Sequence, residues 1–153
     1  MTEILVGFSG AVNAAEAQGL GEYSLVMAGK HGSFTAKNAR HIKLKAASYD
    51  AANDTVTLIP RKAFALTRNV QLRVDGVPPS GLQDSSGRLI DGGHTGHAGS
   101  NAVAILSRGG VSMAVPAVVG PAGGANSPSA VTIDALLELN VLANVTPARR
   151  TRR

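Results

Sequence analysis

The sequence contains no cysteine and no tryptophan, and aromatic residues of all kinds make up only 3% of it. The absence of cysteine excludes disulfide bonds, thiolate metal sites and cysteine nucleophiles. With three Phe and two Tyr in 153 residues, the core must be aliphatic. A groove lined by aromatic rings, which would favour carbohydrate binding or base stacking, is not expected.

The sequence also lacks long apolar runs, and most of the chain has little excess of charge of either sign. No apolar stretch approaches the roughly 18 residues of a membrane-spanning helix, and the first residues lack the features of a secretory leader, which by itself indicates a cytoplasmic chain. The formal net charge is +5, but Arg149, Arg150, Arg152 and Arg153 all lie in the last five residues. Without those four, 11 basic residues remain against 10 acidic ones, so the basicity is mostly a tail.

The clearest pattern that is present spans residues 42–60. Apolar residues occupy alternate positions on both sides of the polar turn 50–54, at Ile42, Leu44 and Ala46 and again at Val56 and Leu58. This alternation predicts two antiparallel strands with one buried face, joined by a turn whose Asn and Asp residues suit its backbone. Further strands are predicted at 3–8, 23–27, 70–74 and 102–106, and a short helix is predicted after Asn13 with Glu16 completing a capping box.

Strands at spacings of about 8–12 residues, without long helices between them, predict an all-β antiparallel sandwich. We assign residues 1–110 to this domain. Residues 111–126 are predicted to form a Gly/Pro linker, with a short strand at 111–115 as the alternative. Residues 127–142 are predicted to form a helix that begins at Ser127 and Pro128. Residues 143–153 are expected to be a disordered basic tail.

Five segments together resemble bacterial Ig-like domains of large cell-surface and secreted proteins. They are FSGAVNAAEAQGLGEYSL, ASYDAANDTVTLIP, LTRNVQLRVDG, GLQDSSGRLIDG and NAVAILSRGG, in this order, and the resemblance covers roughly Ile4 to Arg108. The resemblance implies an Ig-like sandwich that acts as a spacer or adhesion module without catalytic residues. It also implies a secreted or cell-surface location, so the single copy without a leader is expected to be a C-terminal fragment of a larger protein.

Few polar residues are candidates for chemistry. Ser9 lies in a Gly-Phe-Ser-Gly-Ala sequence that departs from the nucleophile elbow at its last position. His94 and His97 lie three residues apart in a Gly-rich loop, a spacing that zinc can use only if the loop holds the geometry. Asp84 and Asp91 supply only two of the six to eight oxygen ligands that calcium needs, and Asp in such turns ordinarily caps the backbone.

We therefore expect no catalytic, cofactor-binding or metal-binding residues, and predict a non-catalytic structural or adhesion module whose partners are other domains of a larger surface protein or extracellular material. Two alternatives remain open. One is a carbohydrate- or ligand-binding sandwich that uses the loops at one end. The other is a small nucleic-acid-binding protein that uses the arginine tail, which would show strongly salt-dependent binding.

Overall fold

The computed structural model describes residues 1–113, which are built almost entirely from β-strands. The strands are β1 (Ile4–Gly7), β2 (Tyr23–Met27), β3 (Arg40–His41), β4 (Leu44–Asp50), β5 (Thr55–Pro60), β6 (Val70–Val74), β7 (Ala102–Ser107) and β8 (Gly110–Met113). One short helix, α1 (Ala14–Ala17), and two single 3-10 turns, Leu20–Glu22 and Lys30–Gly32, complete the regular structure of this part of the chain.

The strands form two antiparallel sheets. One has the order β1-β5-β4 and the other has the order β3-β2-β6-β7-β8. Strands β4 and β5 form a hairpin, as do β7 and β8, whereas the pairs β1–β5 and β2–β6 join segments that are far apart in the sequence. The prediction of an all-β antiparallel fold is confirmed.

Alternate residues of the strands from both sheets meet in one aliphatic core. Its members include Ile4 and Val6 of β1, Leu58 of β5, Leu25 of β2, Leu72 of β6 and Leu106 of β7. Each of these side chains is at most 2% exposed, and burying such a side chain fully contributes about 1.5–3 kcal/mol. A core shared by both sheets in this way is typical of a β-sandwich.

The predicted hairpin is present, with a change of face that the alternation did not indicate. The register shifts between Leu44 and Ala46, which marks an irregularity of the β-bulge type that moves the following residues to the other face. Ala47 and Tyr49 therefore pack against the core, and the prediction that Ala46 faces inward was wrong. The Tyr49 hydroxyl receives a hydrogen bond from the Val12 amide at 3.2 Å and donates to Asp54 Oδ1 at 3.1 Å.

The predicted N-cap of the short helix is confirmed, but the capping box is not formed. Asn13 Oδ1 accepts hydrogen bonds from the amides of Ala15 and Glu16, at 3.0 and 3.3 Å. The Glu16 side chain does not accept a hydrogen bond from the Asn13 amide, which donates to the Gln83 carbonyl at 2.9 Å. Glu16 Oε2 instead accepts the amide of Gln83 at 2.8 Å, so this carboxylate ties the helix to the segment that follows β6.

Strand β8 extends the ordered β-structure past residue 110, the predicted end of the sandwich. It pairs with β7 from Ser107 opposite Gly110 to Ala104 opposite Met113, which agrees with the alternative of a short strand in this region. Residues 114–126 of the predicted linker, the predicted helix at 127–142 and the predicted basic tail at 143–153 lie outside the described residues.

Candidate functional site

Two of the predicted candidates, Asp84 and Asp91, lie in the long connection from β6 to β7. They are the two buried polar residues of the described chain, at 4% and 1% exposure. An ionised carboxylate is very costly to bury unless hydrogen bonds replace its water. The donors that surround each carboxylate therefore show what each aspartate does.

Asp84 is surrounded by donors from Ser86 and Arg88, which follow it closely in the chain. Its Oδ1 accepts the Ser86 amide at 2.9 Å, the Ser86 hydroxyl at 2.6 Å and the Arg88 amide at 3.0 Å. Its Oδ2 accepts Arg88 Nε and forms an ion pair with Arg88 Nη2, each at 3.1 Å. The carboxylate thus closes the tight turn 84–88, in which Gly87 has a φ of +86°.

Asp91 performs the same task for the loop 91–100. Its Oδ1 accepts the amide of Thr95 at 3.0 Å and the hydroxyls of Thr95 and Ser100 at 3.2 and 3.0 Å, and its Oδ2 accepts the amide of Gly96 at 2.7 Å. Asp91 and Ser100 also form a β-bridge. One carboxylate therefore joins both ends of the loop that carries His94 and His97.

The structure places His94 and His97 in the loop 91–100, far along the chain from Ser9. His97 is exposed, and its amide donates to Thr95 Oγ1 at 3.2 Å. His94 is half-buried with a φ of +53°, a left-handed conformation that its place in the loop imposes. Ser9 is exposed and follows strand β1. Within residues 1–113, no group of three or more His, Asp or Glu side chains is arranged to hold a metal ion.

Hydrogen bonding lowers the pKa of both buried aspartates. Burial by itself raises the pKa of Asp84, but the bonds from Ser86 and Arg88 outweigh that effect. Burial likewise raises the pKa of Asp91, and the bonds from Thr95, Gly96 and Ser100 lower it further than burial raises it. Both carboxylates therefore stay charged at neutral pH, and each of their oxygens accepts at least one hydrogen bond from its own loop, which suits loop construction better than proton transfer.

The lowered pKa values predict that acid destabilises the fold. An aspartate whose pKa is lower in the folded state stabilises it above the unfolded pKa of about 3.9, and this contribution is lost as pH falls further. Burial and the charges of Asp75 and Glu16 raise the pKa of Glu22. Its contribution to the stability of the fold is therefore lost as pH rises through that pKa. Urea unfolding between pH 7 and pH 2 should show the main loss below about pH 4. Asp91→Asn should flatten that decline, and an unchanged slope in this variant would contradict the assignment.

Sequence reasoning missed a second feature, a groove at the edge of the molecule that we call the basic groove. Its rim carries the exposed side chains of Arg40, Lys43, Arg61 and Lys62, and its floor is formed by the half-buried Met27, Ile42 and Phe64. The hollow has a volume of about 440 Å³. It adjoins a second hollow of about 310 Å³, with which it shares His41, Ile42, Lys43 and Arg61. Among residues 1–113, no carboxylate side chain lines either hollow.

Strand pairing explains how the basic groove is assembled. Leu44 lies opposite Pro60 at the open end of the hairpin, and the Arg61 amide donates to the Lys43 carbonyl at 2.8 Å. The cations that precede β4 are thereby brought beside those that follow β5. The signal was available in the sequence, because a hairpin across 42–60 places residues 40–43 next to residues 61–64.

Comparisons with known proteins give no relative: no protein-family model, no curated protein and no solved structure matches the chain. The described residues contain no helix long and apolar enough to cross a membrane.

Proposed function

We propose that the chain is a non-catalytic structural or adhesion module of a bacterial extracellular or cell-surface protein, built on an Ig-like sandwich. The observation that carries the proposal is the hydrogen bonding of the two buried carboxylates. Asp84 and Asp91 have their oxygens occupied by donors of their own loops, so the polar groups most suited to chemistry serve to shape the connection between β6 and β7.

The strand connections support the Ig-like part of the proposal. The chain crosses between the two sheets after β1, before β4 and after β5, and strands distant in sequence pair as β1–β5 and β2–β6. Such crossings are the features that Greek-key sandwiches share. The resemblance of five sequence segments to bacterial Ig-like domains is the second source of support, and it is also the source of the proposed surface location.

A ligand-binding sandwich is the second candidate function, because the basic groove is a concave surface with a concentrated charge. The two candidates are compatible, since an adhesion module acts by binding. They differ in what they require: a spacer needs only a stable fold, whereas a binding module needs a surface that discriminates among partners.

Protease treatment of intact cells of the source organism tests the surface location. An antibody raised against the whole chain should lose its signal when protease is added to intact cells, while a cytoplasmic marker protein survives. Treatment after lysis is the control and should remove both signals. Protection of the chain until the cells are lysed would contradict the proposed location and favour the intracellular alternatives.

A further inference from the structure

We propose that the basic groove binds a short acidic peptide segment of a partner protein, one that carries at least one large apolar side chain among its carboxylates. The proposal goes beyond the proposed function and does not depend on the cellular location of the chain. Its failure would therefore leave the structural role standing.

The charge of the rim is the first argument. Arg40, Lys43, Arg61 and Lys62 are all exposed, and none of the four forms an ion pair with a carboxylate within residues 1–113. Four like charges around one hollow repel each other, and an anionic partner relieves that repulsion. Two of the four are arginines, whose planar guanidinium groups bind carboxylates through paired hydrogen bonds. The rim is therefore complementary to a partner with several carboxylates.

The floor is the second argument, because it distinguishes among anionic partners. Met27, Ile42 and Phe64 pack against the edge of the core yet remain partly open to water. An apolar side chain laid on this floor would remove that surface from water and gain affinity in proportion to the area buried. Nucleic-acid phosphates or sugar hydroxyl groups would also contact the cations, but Phe64 is the one Phe, Tyr or Trp in the lining of the groove, which offers little area for stacking bases or sugar rings.

The third argument is that a sheet edge lies at the basic groove. Strand β3 is the end strand of the five-stranded sheet, and both of its residues, Arg40 and His41, line the basic groove. End strands carry main-chain donors and acceptors with no neighbouring strand, which an extended peptide can bind. Peptide backbone matches such an edge, whereas a sugar or nucleotide chain does not.

Isothermal titration calorimetry on the full chain tests the proposal with defined probes. The ligand is a capped octapeptide, Glu-Asp-Glu-Leu-Phe-Glu-Asp-Glu, and the matched control peptide has Ser in place of Leu and Phe. The arginine tail also attracts acidic peptides. Every titration is therefore repeated on a full-length variant in which Arg149, Arg150, Arg152 and Arg153 are replaced by Ser.

We expect the apolar-containing peptide to bind with a dissociation constant of about 10–100 µM at low salt, and to bind more weakly as salt screens the rim. The serine peptide should bind at least about 10-fold more weakly. The double variant Arg61→Glu/Lys62→Glu should also lose about 10-fold or more. Arg73→Glu makes the same kind of charge change at an exposed position on β6 outside the basic groove, and it should stay within about twofold of the parent.

Several results would overturn the proposal. One is equal binding of the two peptides, which would show that the protein recognises only their charge. Another is binding that survives the groove variants but disappears with the tail arginines. A third is displacement of the peptide by a DNA duplex or by polygalacturonate at lower concentration than by the peptide itself, which would assign the basic groove to another class of partner. Thermal unfolding of each variant, followed by circular dichroism, excludes loss of binding through misfolding.

Discussion

Asp91→Ala is expected to lower the free energy of unfolding by about 2–3 kcal/mol at pH 7. The side chain is 1% exposed, and its oxygens accept hydrogen bonds from Thr95, Gly96 and Ser100. Truncation removes four charge-assisted hydrogen bonds and leaves a hole where the carboxylate lay. Thr95 and Gly96 are exposed and can bond to water instead, which keeps the expected loss below the sum of the four bonds. Urea unfolding of the full chain measures this change in the free energy of unfolding.

Asp50→Ala is the matched control for this experiment. Asp50 also caps a turn, accepting the Ala52 amide at 2.9 Å and the Asn53 side-chain amide at 2.6 Å, but it is exposed. Its donors can return to water, so the expected loss is clearly smaller than that of Asp91→Ala. Equal losses for the two alanine variants would show that the burial of Asp91 is unimportant and would remove the basis for its structural role.

The sequence predicted the elements that are determined locally. Alternation of apolar residues located β1, β2, β4, β5, β6 and β7, because a strand with one buried face has a period of two wherever it occurs. The same rule failed at Ala46, since a bulge changes which residues face inward without changing the composition of the strand. Strand β8 was predicted only as an alternative, because its sequence Gly-Val-Ser-Met has few residues in which alternation can be recognised.

The candidate residues show a different limit of prediction from the sequence. Asp84 and Asp91 were identified from residue type and spacing, and turn chemistry was the favoured interpretation, which the hydrogen bonds of both carboxylates now support. Their deep burial could not be predicted from residues that stand among Gly and Ser, since it follows from how the 75–101 connection packs, with Leu82 and Ile90 in the core. The predicted hairpin could have placed the cations of the basic groove, but not its floor, because Met27 reaches the groove only through the pairing of β2 with β3.

The close packing of the 75–101 connection is most evident at Gly92, next to Asp91. Its amide donates to the Ser100 carbonyl at 3.0 Å, and the residue is buried. A Cβ atom at this position would lie far inside van der Waals contact with the Ala102 amide nitrogen and the Asn101 carbonyl carbon. Both of these are main-chain atoms at the start of β7, so no rotation of a side chain could relieve the clash. Only glycine lets the loop approach the strand this closely.

Gly92→Ala is therefore expected to cost about 3 kcal/mol of stability, because either the loop or the first residues of β7 must move and give up pairing with β6. Gly21→Ala is the matched control: a Cβ at Gly21 meets no heavy atom within 4 Å, and the change should stay within about 0.5 kcal/mol. Urea unfolding of both variants at pH 7 gives the comparison. A loss below about 1 kcal/mol for Gly92→Ala would mean that the connection yields easily. The loop would then be an adaptable segment, and a fixed position of the loop 91–100 against β7 would have to be abandoned.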